Sequence, residues 1–470
     1  MLYRMEQVVP VVLLLGMLVS AALFRLLPAR DALRFALVGG CVILPVAVYP
    51  ASVFDEPYGR AGAAHALVIP TSILWNRGLA LGLGCLAGAI LFHWPALRTV
   101  RLRWVDAPIV AWCLVPLVST QVNGLPLSLG LSQTRYLILT WGVPYLLGRA
   151  FLADSDSLRR LSLAFVVVGL ASIPFVTLEF VISPWLYGGI YGRHPYQFEG
   201  MERLIGFRPL LLAEHGNQLG MMVVSSAVAA VWLWRAGRLP SWWGVAAWIW
   251  ATALVAVAAL AQSLGAILLG AVALAPLLWT SSPHAHGSGW PGRGDDRRAL
   301  VRAVAVMLTV GMLATIGLGV VAARDAGARS RVRSFFASVG KTSFTWRMAR
   351  IEDSAERIAA RPVLGWGQPD WSSNRFRNPV NLSLWLLAAG MYGAVGVVAL
   401  AALVGVPVVN TVRLLPPSSW STPAGSAVVL MAVLVLINAL DALSNSTWLI
   451  PLTAGIGGLN GWSLRRVESR

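Results

Sequence analysis

The chain has 470 residues, of which 57% are hydrophobic and only 12% charged, with a mean hydropathy of +0.70. A soluble domain carries about twice that share of charge, so soluble folds are excluded, and apolar runs of roughly 20 residues, enough to cross a hydrocarbon core of about 30 Å, recur along nearly the whole chain. The net charge of +17 comes from 37 basic and 20 acidic side chains, and only Lys341 among the basic ones is not arginine; most lie in short connections, where they orient the chain and meet anionic lipid headgroups rather than nucleic acid.

These runs read as helices, because the alternating segments of about ten residues expected of an outer-membrane barrel are missing. The first, at 8–27, lacks a small-residue cleavage site and leads into another at 33–50, so it is expected to be a retained span. Further spans are predicted at 72–92, 104–122, 132–148, 159–182 and 210–234. Ser241 to Trp279 is too long for one helix, and Gln262-Ser263-Leu264-Gly265 offers a polar break, giving 242–260 and 264–279. The series closes with 300–322, 380–406, 425–444 and 448–463. The expected fold is an all-α integral membrane protein, one polytopic bundle of 12 to 13 transmembrane helices over residues 1–470.

Alternate connections hold 19 arginines, beginning with Arg25, Arg30 and Arg34 and ending with Arg465, Arg466 and Arg470, against 6 basic residues in or beside the short connections of the other side. The richer side is expected to be cytoplasmic. On the opposite side fall a polar segment, 183–217, and a large loop with short helices, 323–379, whose 11 basic and 5 acidic residues leave a net +6. Cys41, Cys85 and Cys113 lie in apolar runs without CxxC spacing, and His284 and His286 sit in a Gly-, Pro- and Ser-rich linker. Neither a disulfide framework nor a metal site is expected.

In the large loop a helix is predicted from about Thr342 to Ala360, capped by Thr342 or Ser343 and ended by Arg361-Pro362. Arg350 and Arg357 each have Asp353 within one helical turn, whereas Arg347 has only Ser343, Phe344, Arg350 and Ile351 at that spacing. A guanidinium beside another guanidinium invites an outside anion, and its fork suits a diphosphate. The earlier segment brings Arg203 and Arg208, then Glu214, His215, Asn217 and Gln218, to a span entrance. Polar side chains there are costly unless they line a hydrated cavity, and Glu214 or His215 could take a proton from an acceptor hydroxyl. Asn438, Asp441 and Asn445 fall at helical spacing, where they either line that cavity or join helices.

The run Thr342-Ser343-Phe344-Thr345-Trp346-Arg347, with Arg361-Pro362-Val363-Leu364-Gly365-Trp366-Gly367, Val380-Asn381 and Gly390-Met391-Tyr392-Gly393 downstream, resembles the bacterial O-antigen ligase and polymerase superfamily. The stretch from Arg203 to Gly220 resembles that family's other motif. The resemblance covers roughly residues 200–450 and implies a glycosyltransferase of the bacterial inner membrane that uses undecaprenyl diphosphate-linked glycans, a glycan or lipid acceptor and no cofactor. Arg347, Arg350, Arg203 and Arg208 are the implied diphosphate ligands, Glu214 and His215 the candidate catalytic pair, and Asn217, Asn381 and Asp441 the cavity lining. Ligases of this family usually carry a histidine near the start of the span after the large loop. No histidine follows His286 here, where the stretch reads Asn378-Pro379-Val380-Asn381, which favours a polymerase over a ligase. A transporter or flippase for a lipid-linked sugar would need similar arginines, but no duplicated half of the kind common in transporters is visible.

Overall fold

A computed structural model describes residues 8–49, 75–194, 202–203, 205–280, 334, 354–369, 371, 383–420 and 422–469. Among them the chain is helical, and seven helices are long and apolar enough to cross a membrane. The protein is a helical membrane protein. In chain order the helices are α1 (Val8–Leu26), α2 (29–43), α3 (Arg77–Arg98), α4 (Ala107–Val122), α5 (127–151), α6 (Ser155–Ile182) and α7 (Leu186–Tyr191). They continue as α8 (Gly216–Arg235), α9 (Ala247–Leu260), α10 (Leu264–Thr280), α11 (Leu384–Leu414), α12 (Pro423–Asp441) and α13 (Ile450–Glu468).

Each predicted span except 300–322, which lies outside the described residues, falls on one of these helices. Several boundaries are corrected, among them the start of the 210–234 run, whose helix begins only at Gly216. The 33–50 run is helical only over 29–43, through a wide π-turn at Phe35–Gly39, and then extends so that Val48 N and Arg77 N donate to Trp75 O and Val46 O. The 72–92 run begins its helix at Arg77 because the Asn76 side chain caps it, accepting from Leu79 N at 3.0 Å. The predicted break at 262–265 is present: Gln262 takes a positive φ of 49° between α9 and α10.

Helices that share a bilayer gain little from apolar burial against one another, so close backbone approach and interhelical hydrogen bonds hold them. On α13 and α5 glycine supplies the approach: a Cβ at Gly457 would sit 2.0 Å from Tyr145 O, and one at Gly148 would sit 2.0 Å from Ala454 O. Helix α8 is the centre, with 89% of its apolar window buried against 22% for α1. It packs on α6, α9, α10 and α12, and Asn438 Nδ2 of α12 donates to Ser225 Oγ at 3.2 Å.

Charged groups knit one end of the bundle. Asp106 accepts from Arg149 Nε at 2.9 Å and from Tyr145 Oη at 2.6 Å, while Arg103 and Arg160 reach Glu468 and Asp31. At the other end the connections bond to one another and make the polar surface described next.

Candidate functional site

Glu179, near the end of α6, organises this surface. It is 1% exposed; Oε1 accepts from Trp185 N and Leu186 N at 3.1 and 2.9 Å, and Oε2 from Leu210 N and Leu211 N, both at 2.8 Å. One carboxylate therefore satisfies four amides from both ends of the 183–217 segment and sets where that segment enters α8. A glutamine would turn an amide nitrogen toward two of those donors. At about 1–3 kcal/mol for each orphaned amide, Glu179→Gln is expected to cost about 2–6 kcal/mol, measurable as a drop in thermal unfolding temperature of the purified chain.

The turn into α8 gives each residue of His215-Gly216-Asn217 a separate task. His215 is the N-cap, its Nδ1 accepting from Asn217 N at 3.0 Å. Gly216 makes room for Arg208, since a Cβ there would lie 2.6 Å from Arg208 Nε. Asn217 Oδ1 accepts from Arg208 Nη2. The amide of Asn217 then donates to Asn445 Oδ1, and Asn445 Nδ2 donates to Asp441 Oδ1 at 2.8 Å. Arg208, Asn217, Asn445 and Asp441 thus form one buried chain of hydrogen bonds between the 183–217 segment and the end of α12, with the Asp441 carboxylate at one terminus and a guanidinium at the other.

Glu214 is completely buried, and its backbone N–H donates to Gln218 Oε1 at 2.9 Å. The cap distinguishes the two candidate bases. It engages the Nδ1 lone pair of His215, so the neutral ring carries its proton on Nε2 and can accept a second only by giving up the cap. Burial raises the pKa of the Tyr187 and Tyr191 phenols on α7, so both stay protonated and neutral.

Of the predicted site residues, Arg208, Asn217 and Asp441 are brought together, with Glu214 and His215 in the same turn. Arg203 is not among them. It is exposed in a tight hairpin, where its N–H donates to Gly206 O at 2.9 Å, and Gln262 Nε2 holds that hairpin through Ile205 O and Phe207 O. Asn438 is spent on Ser225, so the expectation of one polar face divides: Asn438 joins helices, while Asp441 and Asn445 belong to the relay. Arg347, Arg350 and Asn381 lie outside the described residues.

Sequence reasoning missed Glu179 and Arg77, although both are charged residues inside predicted spans. Arg77, 2% exposed, donates to Leu212 O and Gln218 Oε1 at 2.9 and 2.7 Å.

The end of the large loop is locked onto α11. The helical turn 354–360 stops before Arg361-Pro362, and the loop then runs beside a break at Gly393. Trp366 N and Gly367 N donate to Gly390 O and Met391 O, and Ala394 N and Val395 N to Pro362 O and Val363 O, at 2.8–3.2 Å. Ser119, Asn123 and Gln133 close the joint from α4 and α5 through Met391 O, Gly365 O and Gly367 O at 2.9–3.0 Å. The two glycine-containing motifs read from the sequence are therefore the two sides of a single backbone joint.

Among the described residues no group of three His, Cys, Asp or Glu side chains is arranged to hold a metal ion. No family model matches the chain, and no curated protein matches it either.

Proposed function

We propose that the chain is a membrane glycosyltransferase that moves a glycan from an undecaprenyl diphosphate carrier to an acceptor glycan or lipid, with polymerisation of a cell-surface or exopolysaccharide as the favoured outcome. In this reading it crosses the bacterial inner membrane 12 or 13 times, and the 183–217 segment and the 323–379 loop face the periplasm. The observation that carries the reading is the buried Arg208 guanidinium at a span entrance, held through Asn217 and Asn445 by Asp441, within the segment that bears the fully buried Glu214. Buried charges at such a position are expensive and are kept where function requires them.

The chemistry follows from those groups. The acceptor hydroxyl oxygen attacks the anomeric carbon; the new C–O bond forms as the sugar–phosphate C–O bond breaks, and the electron pair leaves with undecaprenyl diphosphate. Arg208 donates to the leaving diphosphate, where negative charge grows, and Arg347 and Arg350 join it from the loop. The hydroxyl proton passes to the Glu214 carboxylate. Polymerisation is favoured over ligation because no histidine follows His286.

The test is reconstitution in lipid with an undecaprenyl diphosphate-linked oligosaccharide from the host, with products resolved by size. A ladder of repeat lengths is expected. One transfer onto an added lipid acceptor would make the chain a ligase, and movement of the lipid-linked sugar between leaflets without a covalent product would make it a transporter.

A further inference from the structure

The turn that carries Glu214 is held in shape from outside. Leu211 sits at a φ of 50°, in the left-handed region that a residue with a Cβ occupies only where its surroundings impose it. Side chains from distant parts of the chain do so. Glu179 accepts from Leu210 N and Leu211 N, Arg77 Nη1 donates to Leu212 O at 2.9 Å, His194 Nε2 donates to Ala213 O at 3.1 Å, and Gln218 Oε1 accepts from Glu214 N at 2.9 Å. Arg77 grips the turn twice, because its Nη2 also donates to Gln218 Oε1 at 2.7 Å. Its guanidinium therefore ties down the backbone on both sides of Ala213, directly at Leu212 and through Gln218 at Glu214.

Arg77 is itself firmly mounted. It is the first residue of α3 and its N–H donates to Val46 O at 3.0 Å, while Asn76 before it caps the helix and donates through Nδ2 to Tyr136 Oη of α5 at 3.1 Å. No ion pair accounts for its burial: both bonded acceptors are neutral, and no carboxylate of a described residue lies within 4.0 Å of the guanidinium. A guanidinium cannot shed its proton, so the cost of burying this charge is set against what the side chain holds in place. We propose, resting on the reading of Glu214 as the proton acceptor, that Arg77 is a positioning residue for Glu214, aiming its carboxylate by fixing Leu212 and, through Gln218, Glu214 itself. Without that grip Leu211 can leave its strained conformation and the carboxylate moves with the turn; a displacement of about 1 Å at a reacting group costs on the order of 10²-fold in rate.

The full chain is reconstituted in lipid with the undecaprenyl diphosphate-linked oligosaccharide, and kcat and KM are measured for wild type, Arg77→Met, Gln218→Met, Glu214→Gln and the two double variants that carry Glu214→Gln. The infrared carboxyl band of Glu214, identified as the one lost in Glu214→Gln, is recorded on the same proteins without substrate. Arg77→Met and Gln218→Met are each expected to lower kcat by about 10–100-fold with KM changed by less than about twofold, and to shift the band. In the Glu214→Gln background neither is expected to lower the residual rate by more than about twofold, because both act through a group already removed, whereas damage to the fold would lower it again. A folded Arg77→Met or Gln218→Met with wild-type kcat, a drop that persists in full on top of Glu214→Gln, or an unmoved carboxyl band would overturn this role; Gln218→Met keeps the test decisive should Arg77→Met not fold. If wild type transfers nothing, or Glu214→Gln keeps the full rate, the reading of Glu214 as the proton acceptor fails, and the band by itself decides whether Arg77 positions Glu214.

Discussion

Arg208→Lys is expected to lower glycan transfer by about 10²–10³-fold, the usual loss when one group that stabilises developing negative charge is removed, while the chain stays folded. Lysine keeps the charge but presents it as a point, and it cannot span Asn217 and a diphosphate with one planar fork. Two companion variants separate charge from placement. Asn445→Leu leaves Arg208 intact but breaks the relay that fixes Asn217, so the rate is expected to fall with Arg208 still present. Gly216→Ala puts a Cβ 2.6 Å from Arg208 Nε and should push the guanidinium aside, again lowering the rate with little loss of stability because the side chain can bend away. Rates measured beside unfolding temperatures for the three variants check this, and an unchanged rate in Arg208→Lys would remove the bidentate role.

Gly393→Ala is expected to do the reverse, damaging the fold first. Gly393 has φ 61° and ψ −155°, a region open essentially only to glycine, where other residues incur about 1–3 kcal/mol of strain. Its added Cβ would also lie 2.4 Å from Val363 C and O, and main chain held by four hydrogen bonds cannot step aside, which adds about 1–3 kcal/mol of overpacking. A loss of about 2–6 kcal/mol is large beside the margin of most proteins. Gly365→Ala meets the other side of the same joint, 2.5 Å from Tyr392 N with φ 64°, so the double variant should cost less than the sum of the two. Unfolding temperatures and yields of the single and double variants check both statements.

The helices were legible because apolar length is written locally: α6 and α12 follow their predicted runs, and Gln262 announced the break between α9 and α10. What escaped depends on partners distant in sequence. Arg77 and Glu179 sit in apolar runs like isolated intruders, and only the fold shows that Leu212 and Gln218 hold the first while Leu210 and Leu211 donate to the second. The same holds for the relay. Arg208, Asn217 and Asp441 each stood out as costly polar residues at span ends, yet Asn445, 228 positions from Asn217, is what connects them. The early stop of α2 did have a local signal that apolar length overrode: Pro45 pushes Leu44 out of the helical region, to φ −75° and ψ 146°, and the chain then pairs with Trp75 and Arg77. Arg203 and Arg208 look equivalent in sequence; a tight hairpin at 202–207 exposes one, and the Gly216 slot buries the other.

Whether the chain breaks the sugar–phosphate bond is tested most directly by phosphorus NMR of the reconstituted protein turning over an undecaprenyl diphosphate-linked oligosaccharide. Transfer predicts that the glycosyl diphosphate signal gives way to free undecaprenyl diphosphate in step with each new glycosidic bond, and that Arg208→Lys slows the conversion. A diphosphate ester that stays intact while the lipid-linked glycan changes leaflet would contradict glycosyl transfer.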